Sequence, residues 1–298
     1  VITIGNFDGC HRGHQKLIDQ TLSYSKEKGC RSVALTFSPR SEDWFAKEID
    51  PKLIFTEIHK TIAFTKYNSI DFHVIKTFDK AFANISHFDF LKVFLADRLN
   101  VKAIVVGDNF RFGHKRLGDQ KFLIEECSKL GIDVFIVPAL QEGNENISST
   151  RIRECITDGK MEMANTLLGR SYMMEGVVAK GNQLGRTIGI PTANLNGCSQ
   201  IIPRFGVYKA KILIDESPNP FAQKNLLRAI VNIGEKPTIS DKKELTIEGH
   251  ILDPDYDGSD LYNKKAGYFL EKLIRPEMKF NSLDELKTQI LKDIKACK

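Results

Sequence analysis

The hydrophobic rhythm of the chain changes once, after about residue 169. Before that point, short apolar runs at 1–4, 32–37, 72–75, 103–106 and 134–137 predict strands. Longer amphipathic stretches at 15–28, 88–99 and 119–130 predict helices between them. This alternation predicts a parallel, doubly wound α/β sheet, in which ligands bind beyond the carboxyl ends of the strands. A helical segment at 150–168 ends this half. The second half then carries period-two runs at 176–178, 206–214, 227–233 and 245–252. In one of them Tyr208, Ala210, Ile212 and Ile214 share a face, while Lys209 and Lys211 point the other way. Gly, Pro, Asn and Asp cluster between these runs, which predicts a small antiparallel barrel or sandwich. A closing helix is announced by Ser282 and Glu285 at capping-box spacing, followed by Leu283, Leu286, Ile290 and Ile294. The expected organisation is therefore α/β with two domains, 1–168 and 169–298, joined near 168–172.

Composition narrows the picture only a little. A chain of 298 residues with 42% hydrophobic and 27% charged positions builds a globular core. Its formal net charge of +5 suits phosphorylated substrates, and suits a weak nucleic-acid binder equally well. No apolar stretch approaches the roughly 18 residues of a membrane span, and no charged-then-apolar leader is present. The cysteines Cys10, Cys30, Cys127, Cys155, Cys198 and Cys297 are scattered without a CxxC pair, which predicts free thiols in a reducing cytoplasm. The chain opens on Val1, already inside a strand, which implies that a segment precedes it.

Three segments carry candidate chemistry. In the first, Gly5-Asn6-Phe7-Asp8-Gly9-Cys10-His11-Arg12-Gly13-His14 leaves a strand and opens a helix, where main-chain N–H groups and the helix dipole favour anions. His11 and His14 sit three apart, so both rings can face one ligand. The HxxH pair also matches two zinc ligands, but no third ligand is suggested nearby. In the second, Ser149 and Thr150 can cap a helix start and offer hydroxyls to an anion, with Arg153 adding a cationic fork. In the third, Gly181, Gly185 and Gly189 permit a main chain that wraps a phosphate, Pro191 stiffens the exit, and Thr192 and Asn194 offer hard oxygens suited to magnesium. No Walker A string occurs, so this is not a P-loop. Strand alternation also puts Thr246, Glu248 and His250 on one face, opposite Leu245, Ile247 and Ile251, so Glu248 points away from the apolar side.

These strings resemble those of bacterial bifunctional riboflavin kinase/FMN adenylyltransferases. The block from Gly5 to His14 is similar to the adenylyltransferase module. So are Val105-Val106-Gly107-Asp108-Asn109-Phe110-Arg111-Phe112-Gly113 with Arg116, and Ile147-Ser148-Ser149-Thr150-Arg151-Ile152-Arg153. The run from Gly181 to Asn194 resembles the riboflavin kinase signature. It is followed in family order by Arg204-Phe205-Gly206-Val207-Tyr208, Asn232-Ile233-Gly234, Glu248, Asp260-Leu261-Tyr262 and Arg275-Pro276-Glu277. The resemblance implies a Rossmann-like nucleotidyltransferase domain followed by a kinase barrel. It also implies ATP and Mg2+ at both sites, with riboflavin, FMN and FAD as substrates and products. His11 and His14 would stabilise the phosphates, with Asn6, Phe7, Asp8, Gly13, Ser149, Thr150 and Arg153 around the triphosphate. Asn109, Phe110, Arg111, Phe112, Arg116 and Arg275 would face flavin. Gly181, Gly185, Gly189 and Pro191 would cradle the second ATP, Thr192 and Asn194 would hold the metal, and Glu248 would be the general base. The implied partners are these small molecules alone, without nucleic acid or membrane, for a cytoplasmic monomer or weak oligomer.

Four places depart from the family pattern. Arg40-Ser41 stands where Thr-Phe-x-Pro-His-Pro has its last two residues, Asn109 sits where Asp is frequent, Gly249 replaces a larger residue, and Asn263 replaces a common glycine. An alternative reading, prompted by Arg40-Ser41, keeps the kinase and weakens the adenylyltransferase. A third, prompted by the positive charge, is a binding module without turnover.

Overall fold

The computed structural model describes residues 1–46, 52–179, 193–237, 243–253, 256 and 261–297. By its internal contacts the chain divides into one unit of Val1–Pro51 with Glu57–Ser148, and a second of Lys52–Thr56 with Ser149–Lys298.

In the first unit, β1 (Ile2–Ile4), β2 (Val33–Ser38), β3 (Phe72–Thr77), β4 (Ala103–Gly107) and β5 (Asp133–Val137) form a parallel sheet in the order β3-β2-β1-β4-β5. Helices α1 (Arg12–Lys28), α2 (Ser41–Ala46), α3 (Glu57–Thr61), α4 (Lys80–Ala83), α5 (His87–Asp89) and α6 (Gln120–Leu130) connect the strands. Two of them run on into wider π-helical stretches, α3 through Ile62–Tyr67 and α5 through Phe90–Arg98. Strands with both faces covered read as continuous apolar runs, and both faces are covered here. Ile2, Ile4, Ile104 and Val106 pack against Phe90, Leu91 and Leu95, while Val1, Ala103 and Val105 pack against Leu17 and Tyr24 of the other layer. Gly29 (φ 61°) and Gly131 (φ 66°) end α1 and α6 in left-handed caps that take up the last carbonyls. The order of strands reverses between β1 and β4, so the loops leaving these two strands flank a crevice at the carboxyl edge. A two-stranded hairpin, β6 (Gln141–Glu142) and β7 (Glu145–Asn146), follows the sheet.

The second unit begins with α7 (Ser149–Thr157) and α8 (Met161–Leu168). The single helix expected over 150–168 is broken at Gly159, whose φ of 77° no helix interior accommodates, and whose absent Cβ would lie 2.9 Å from Leu273. β8 (Tyr172–Ala179), β9 (Ala193–Asn196), β10 (Gly206–Ile214), β11 (Leu227–Pro237), β12 (Lys243–Ile251) and β13 (Lys265–Pro276) close into an antiparallel barrel in the order β10-β11-β12-β9-β8-β13. Tyr208, Ala210, Ile212, Val231, Ile233, Ile247, Tyr268 and Leu270 are buried inside. Helix α9 (Leu283–Ala296) is capped by Ser282, whose Oγ accepts from the Glu285 N–H at 3.2 Å. It lays Ile290 and Ile294 on the outer face of the barrel, against Val207 and Ile230.

One half-buried ionisable group couples the first unit to pH. His73 on β3 lies between two threonines, Nε2 2.9 Å from Thr36 Oγ1 and Nδ1 3.0 Å from Thr61 Oγ1, with its ring 4.8 Å from that of Phe64. Burial, helped by the charge of Lys60, depresses its pKa from 6.5 to about 4. The fold therefore keeps the imidazole neutral, whereas the unfolded chain takes up a proton below pH 6.5. Stability is thus expected to fall as pH drops from 6.5 to about 4, with no further loss from this group below that. Melting temperatures over that range should fall less steeply for His73→Gln than for the parent, and equal slopes would refute the assignment.

Candidate active sites

The turn after β1 is built by left-handed backbone. Phe7 (φ 49°), Gly9 (φ 81°) and Cys10 (φ 37°) all occupy that region, and two of them are not glycine. The turn delivers His11 as the N-cap of α1, whose first residue Arg12 stands three positions before the expected start at Gln15, and His11 Nδ1 accepts from the His14 N–H at 3.3 Å. The two imidazoles stack with centroids 3.6 Å apart, and Phe7 lies 4.9 Å from His14. Gly13 makes this possible, because a Cβ there would lie 3.2 Å from the His11 ring. Asn6 Oδ1 is buried with no hydrogen-bond partner among the described residues. A buried acceptor of this kind calls for a donor, and an incoming ligand can supply one. Arg12 reaches Glu142 at 2.5 Å and ties the helix start to β6.

Asp8, also in this turn, is buried and accepts from Arg40 Nη1 at 2.8 Å. Arg40 completes its fork on Asp43 of α2, with Nε to Oδ2 at 2.6 Å and Nη2 to Oδ1 at 2.7 Å. Burial opposes the guanidinium charge, but its hydrogen bond to Asp43 and the fields of Asp8 and Asp43 outweigh it and raise the pKa. The sequence marked Arg40 only as a departure, because a buried ion triad spanning more than 30 positions has no local signal.

A cavity of about 350 Å³ opens at the carboxyl edge, lined by Ile4 of β1, Phe37 of β2 and the segment after β4. Its walls are aromatic, with Phe45, Phe78, Phe110 and Phe112, and its cationic groups are Arg111, Lys115 and Arg116. A flat aromatic ligand with an anionic tail suits such walls. Phe112 is both core and wall: it is 6% exposed, packs on Phe90, and stacks on Phe110 with centroids 5.4 Å apart. The segment is pinched by two main-chain bonds between Phe112 and Gly118, and Lys115 (φ 54°) and Arg116 (φ 58°) turn at its tip. A Cβ at Gly118 would lie 2.8 Å from the Phe112 ring. Arg111 pairs with Asp119 at 3.2 Å, and Asn109 is exposed beside Gly107. Glu42, Phe45 and Lys115 line the cavity although nothing in their local pattern marked them, and Ser41, noted in the sequence only as part of a departure, lines it too.

Ser149 and Thr150 open α7, and Arg153, one turn on, donates from Nε to the Lys52 carbonyl at 2.9 Å. The expected phosphate residues Gly181, Gly185, Gly189 and Pro191, and the expected metal ligand Thr192, lie outside the described residues.

On the barrel, strand register decides what stands beside Glu248. Glu248 pairs with Asn194 of β9 on one side and with Asn232 of β11 on the other. The row continues through Val207 of β10 to Arg275 of β13. Paired residues project from the same face, and this is the outer face, since Ile247 and Gly249 on either side of Glu248 are buried. In the closed barrel two strands separate β12 from β13 whichever way round is taken, so Arg275 points outward on the side opposite Glu248. Asn194 thus presents a carboxamide oxygen beside the Glu248 carboxylate, a hard donor that fits magnesium when phosphate oxygens and water complete the shell. Among the described residues, no group of three or more His, Cys, Asp or Glu is placed to hold a metal ion alone. Arg275 is engaged by Asp293 of α9, from Nε at 3.0 and 3.1 Å and from Nη2 at 2.9 Å.

Both barrel departures have a steric reason. Asn263 has φ 65°, a conformation that glycine or asparagine adopts at low cost, and its N–H donates to the Val178 carbonyl at 2.8 Å. Gly249 leaves room for the Tyr268 ring, whose hydroxyl donates to the Ala193 carbonyl at 3.1 Å. Burial, with the negative charge of Glu248, raises the Tyr268 pKa and keeps the phenol protonated.

Known proteins match both halves. A family model described as FAD synthetase matches residues 1–151, and one described as riboflavin kinase matches residues 168–298. The bifunctional riboflavin kinase/FMN adenylyltransferase of Escherichia coli (strain K12) is 35% identical over 294 residues, covering 98% of this chain and 90% of that protein. The protein so named from Buchnera aphidicola subsp. Schizaphis graminum is 37% identical over 299 residues, covering 100% and 92%. A solved structure of a macrolide-efflux protein from Streptococcus pneumoniae superposes with a TM-score of 0.84 at 27% identity, covering 99% of this chain and 93% of that one. Efflux is a property named for that protein. In this chain no described helix is long and apolar enough to cross a membrane.

Gly249 supplies a stability test. An added Cβ would lie 2.7 Å from Ile212 Cδ1 and from Tyr268 Cε2, both inside the barrel. Gly249→Ala should therefore lower the free energy of unfolding by about 1–3 kcal/mol, read from the urea midpoint at unchanged m-value, and an unaltered midpoint would contradict the packing described.

Proposed function

We propose residue roles from one premise: this chain belongs to the family of bifunctional riboflavin kinase/FMN adenylyltransferases. Its C-terminal part phosphorylates riboflavin to FMN, and its N-terminal part transfers the adenylyl group of ATP to FMN, giving FAD.

For adenylyl transfer no protein nucleophile is required. A phosphate oxygen of FMN attacks the α-phosphorus of ATP and pyrophosphate leaves, so the protein's work is alignment and charge neutralisation. In this reading His11 and His14 donate to phosphate oxygens as their charge grows. Asn6, Phe7, Asp8 and Gly13 shape the turn that presents them. Ser149, Thr150 and Arg153 bind the triphosphate from the start of a helix. Phe110 and Phe112 bear on the flat ring, Arg111 and Arg116 meet its phosphate, and Asn109 flanks them. The aromatic and cationic lining of the cavity at the carboxyl edge supports this reading.

For riboflavin phosphorylation, Glu248 accepts the proton of the ribityl 5′-hydroxyl as that oxygen attacks the γ-phosphorus of ATP, whose bond to the β,γ-bridging oxygen breaks and releases ADP. Gly181, Gly185, Gly189 and Pro191 cradle the nucleotide. Asn194 and Thr192 hold Mg2+, which supplies charge neutralisation at the phosphates. Arg275, held by Asp293 across the barrel from Glu248, stands apart from the neighbours of Glu248, so the register lends no support to the flavin contact that the resemblance implied for it. The observation that carries this reading is the placement of Glu248 between Asn194 and Asn232 on one outer face. The proposed setting is the cytoplasm, supported by six free cysteines, with the protein acting as a monomer or weak oligomer on small molecules alone.

Product chromatography with riboflavin and FMN as separate starting materials tests the two roles independently. Glu248→Ala should slow riboflavin phosphorylation by about 10²–10⁴-fold and leave conversion of added FMN to FAD nearly intact. His14→Ala should do the reverse, with FAD formation down by about 10²-fold or more. Equal damage to both reactions by either change, in a folded protein, would sink the division of labour.

A further inference from the structure

We propose that Arg40 is a positioning residue for adenylyl transfer, one buried guanidinium that locks the phosphate turn to the wall of the cavity. The proposal rests on the assignment of that cavity to flavin.

Arg40 spends all three guanidinium nitrogens on two carboxylates, Nη1 on Asp8 and the Nε/Nη2 fork on Asp43. The side chains of Arg40, Asp8 and Asp43 are only 6%, 2% and 10% exposed. Each carboxylate belongs to a different working part. Asp8 lies between Phe7 and Gly9, inside the left-handed turn that delivers His11 and His14. A backbone strained at Phe7 and Cys10 persists only where its surroundings over-determine it, and the Asp8–Arg40 bond is one such restraint. Asp43 is the only buried residue of α2, and the same short helix gives Ser41, Glu42 and Phe45 to the cavity wall. Arg40 also carries the first turn of α2 on its carbonyl, which accepts from the Trp44 N–H at 3.0 Å. In-line transfer needs the flavin phosphate and the ATP α-phosphate held in one geometry. A rigid link between the turn and the wall sets that geometry from both sides.

Charge adds a second reason. Without Arg40, two buried carboxylates would face each other beside a turn that must receive a polyanion. The guanidinium offsets one of those two negative charges while remaining too engaged to bind phosphate itself. Lysine cannot replace it, because a point ammonium does not span a bidentate fork and a third acceptor together.

The test uses the whole chain and measures initial rates of FAD formation from FMN and ATP. Riboflavin phosphorylation in the same preparation serves as the control. Arg40→Lys should lower kcat/KM for FAD formation by about 10- to 100-fold, with KM raised for both FMN and ATP, while the kinase constants stay within about twofold. Asp43→Asn releases only the α2 side and should raise the KM for FMN several-fold with that for ATP unchanged. FAD-forming constants of Arg40→Lys that match the parent, or two activities that fall in parallel, overturn the proposal. If Arg40→Lys does not accumulate as folded protein, Asp43→Asn decides, and unchanged constants for both substrates overturn the proposal alone. A rise in the KM for ATP only overturns the proposal together with the flavin assignment of the cavity.

Discussion

Main-chain pairing holds both sites, and the side chains that line them depend on it. β1 has only three residues, yet it pairs with β2 on one edge and β4 on the other, with its side chains buried on both faces. A one-residue slip would exchange the two faces and break both ladders. The chain must therefore leave the sheet at Gly5, whose N–H still donates to the Leu35 carbonyl at 3.1 Å, and turn at once into the left-handed residues before His11. The barrel imposes the same constraint. Glu248 faces outward beside Asn194 and Asn232 because Ile247 must face inward, and a slip by one would bury the carboxylate.

Electrostatics divides along the same line between framework and function. Ions held in the interior are paired: Arg40 with Asp8 and Asp43, Arg275 with Asp293, and buried Lys60 with the partly exposed Glu57. Removing one partner from such a pair costs about 3–5 kcal/mol, because the other charge stays buried. The exposed cations behave differently. Arg111 and Asp119 are 49% and 40% exposed, and a pair of that kind contributes about 0–1 kcal/mol. Arg111 can leave Asp119 for a ligand phosphate at little cost, whereas Arg40 cannot leave its carboxylates. Cations of one residue type thus serve as scaffold or as ligand contact according to burial.

Much of the architecture was legible in the linear pattern, and the exceptions are physical. All five strands of the sheet, and the helices ending at Lys28 and Leu130, stand where apolar runs and terminal glycines put them. β13 went unread although it is the longest strand, because its residues Phe269 to Arg275 mix apolar, acidic and basic side chains without strict alternation. Two register shifts against β10 account for that loss of period. β9 was hidden because Ala193–Asn196 is too short to show a period. Helices α2 and α3 escaped because their exposed Trp44, Phe45 and Ile58 blur any amphipathic face. The break at Gly159 was written as a lone glycine, a signal too weak to outweigh the helical spacing around it.

The amino-acid sequence alone determined the change of fold class between the two halves, the five strands of the sheet and the turns proposed to handle phosphate, because these rest on local spacing and on the conformational range of single residues. It also marked His11, His14 and Glu248 through their positions in those local patterns. Only the tertiary structure decided which distant residues meet: Asn232 and Asn194 on either side of Glu248, Arg40 between Asp8 and Asp43, and the cavity wall from Phe37 to Arg116. Such meetings depend on strand register and on the burial of charge. Both are properties of the closed sheet and the filled core, and no window of neighbouring residues contains them.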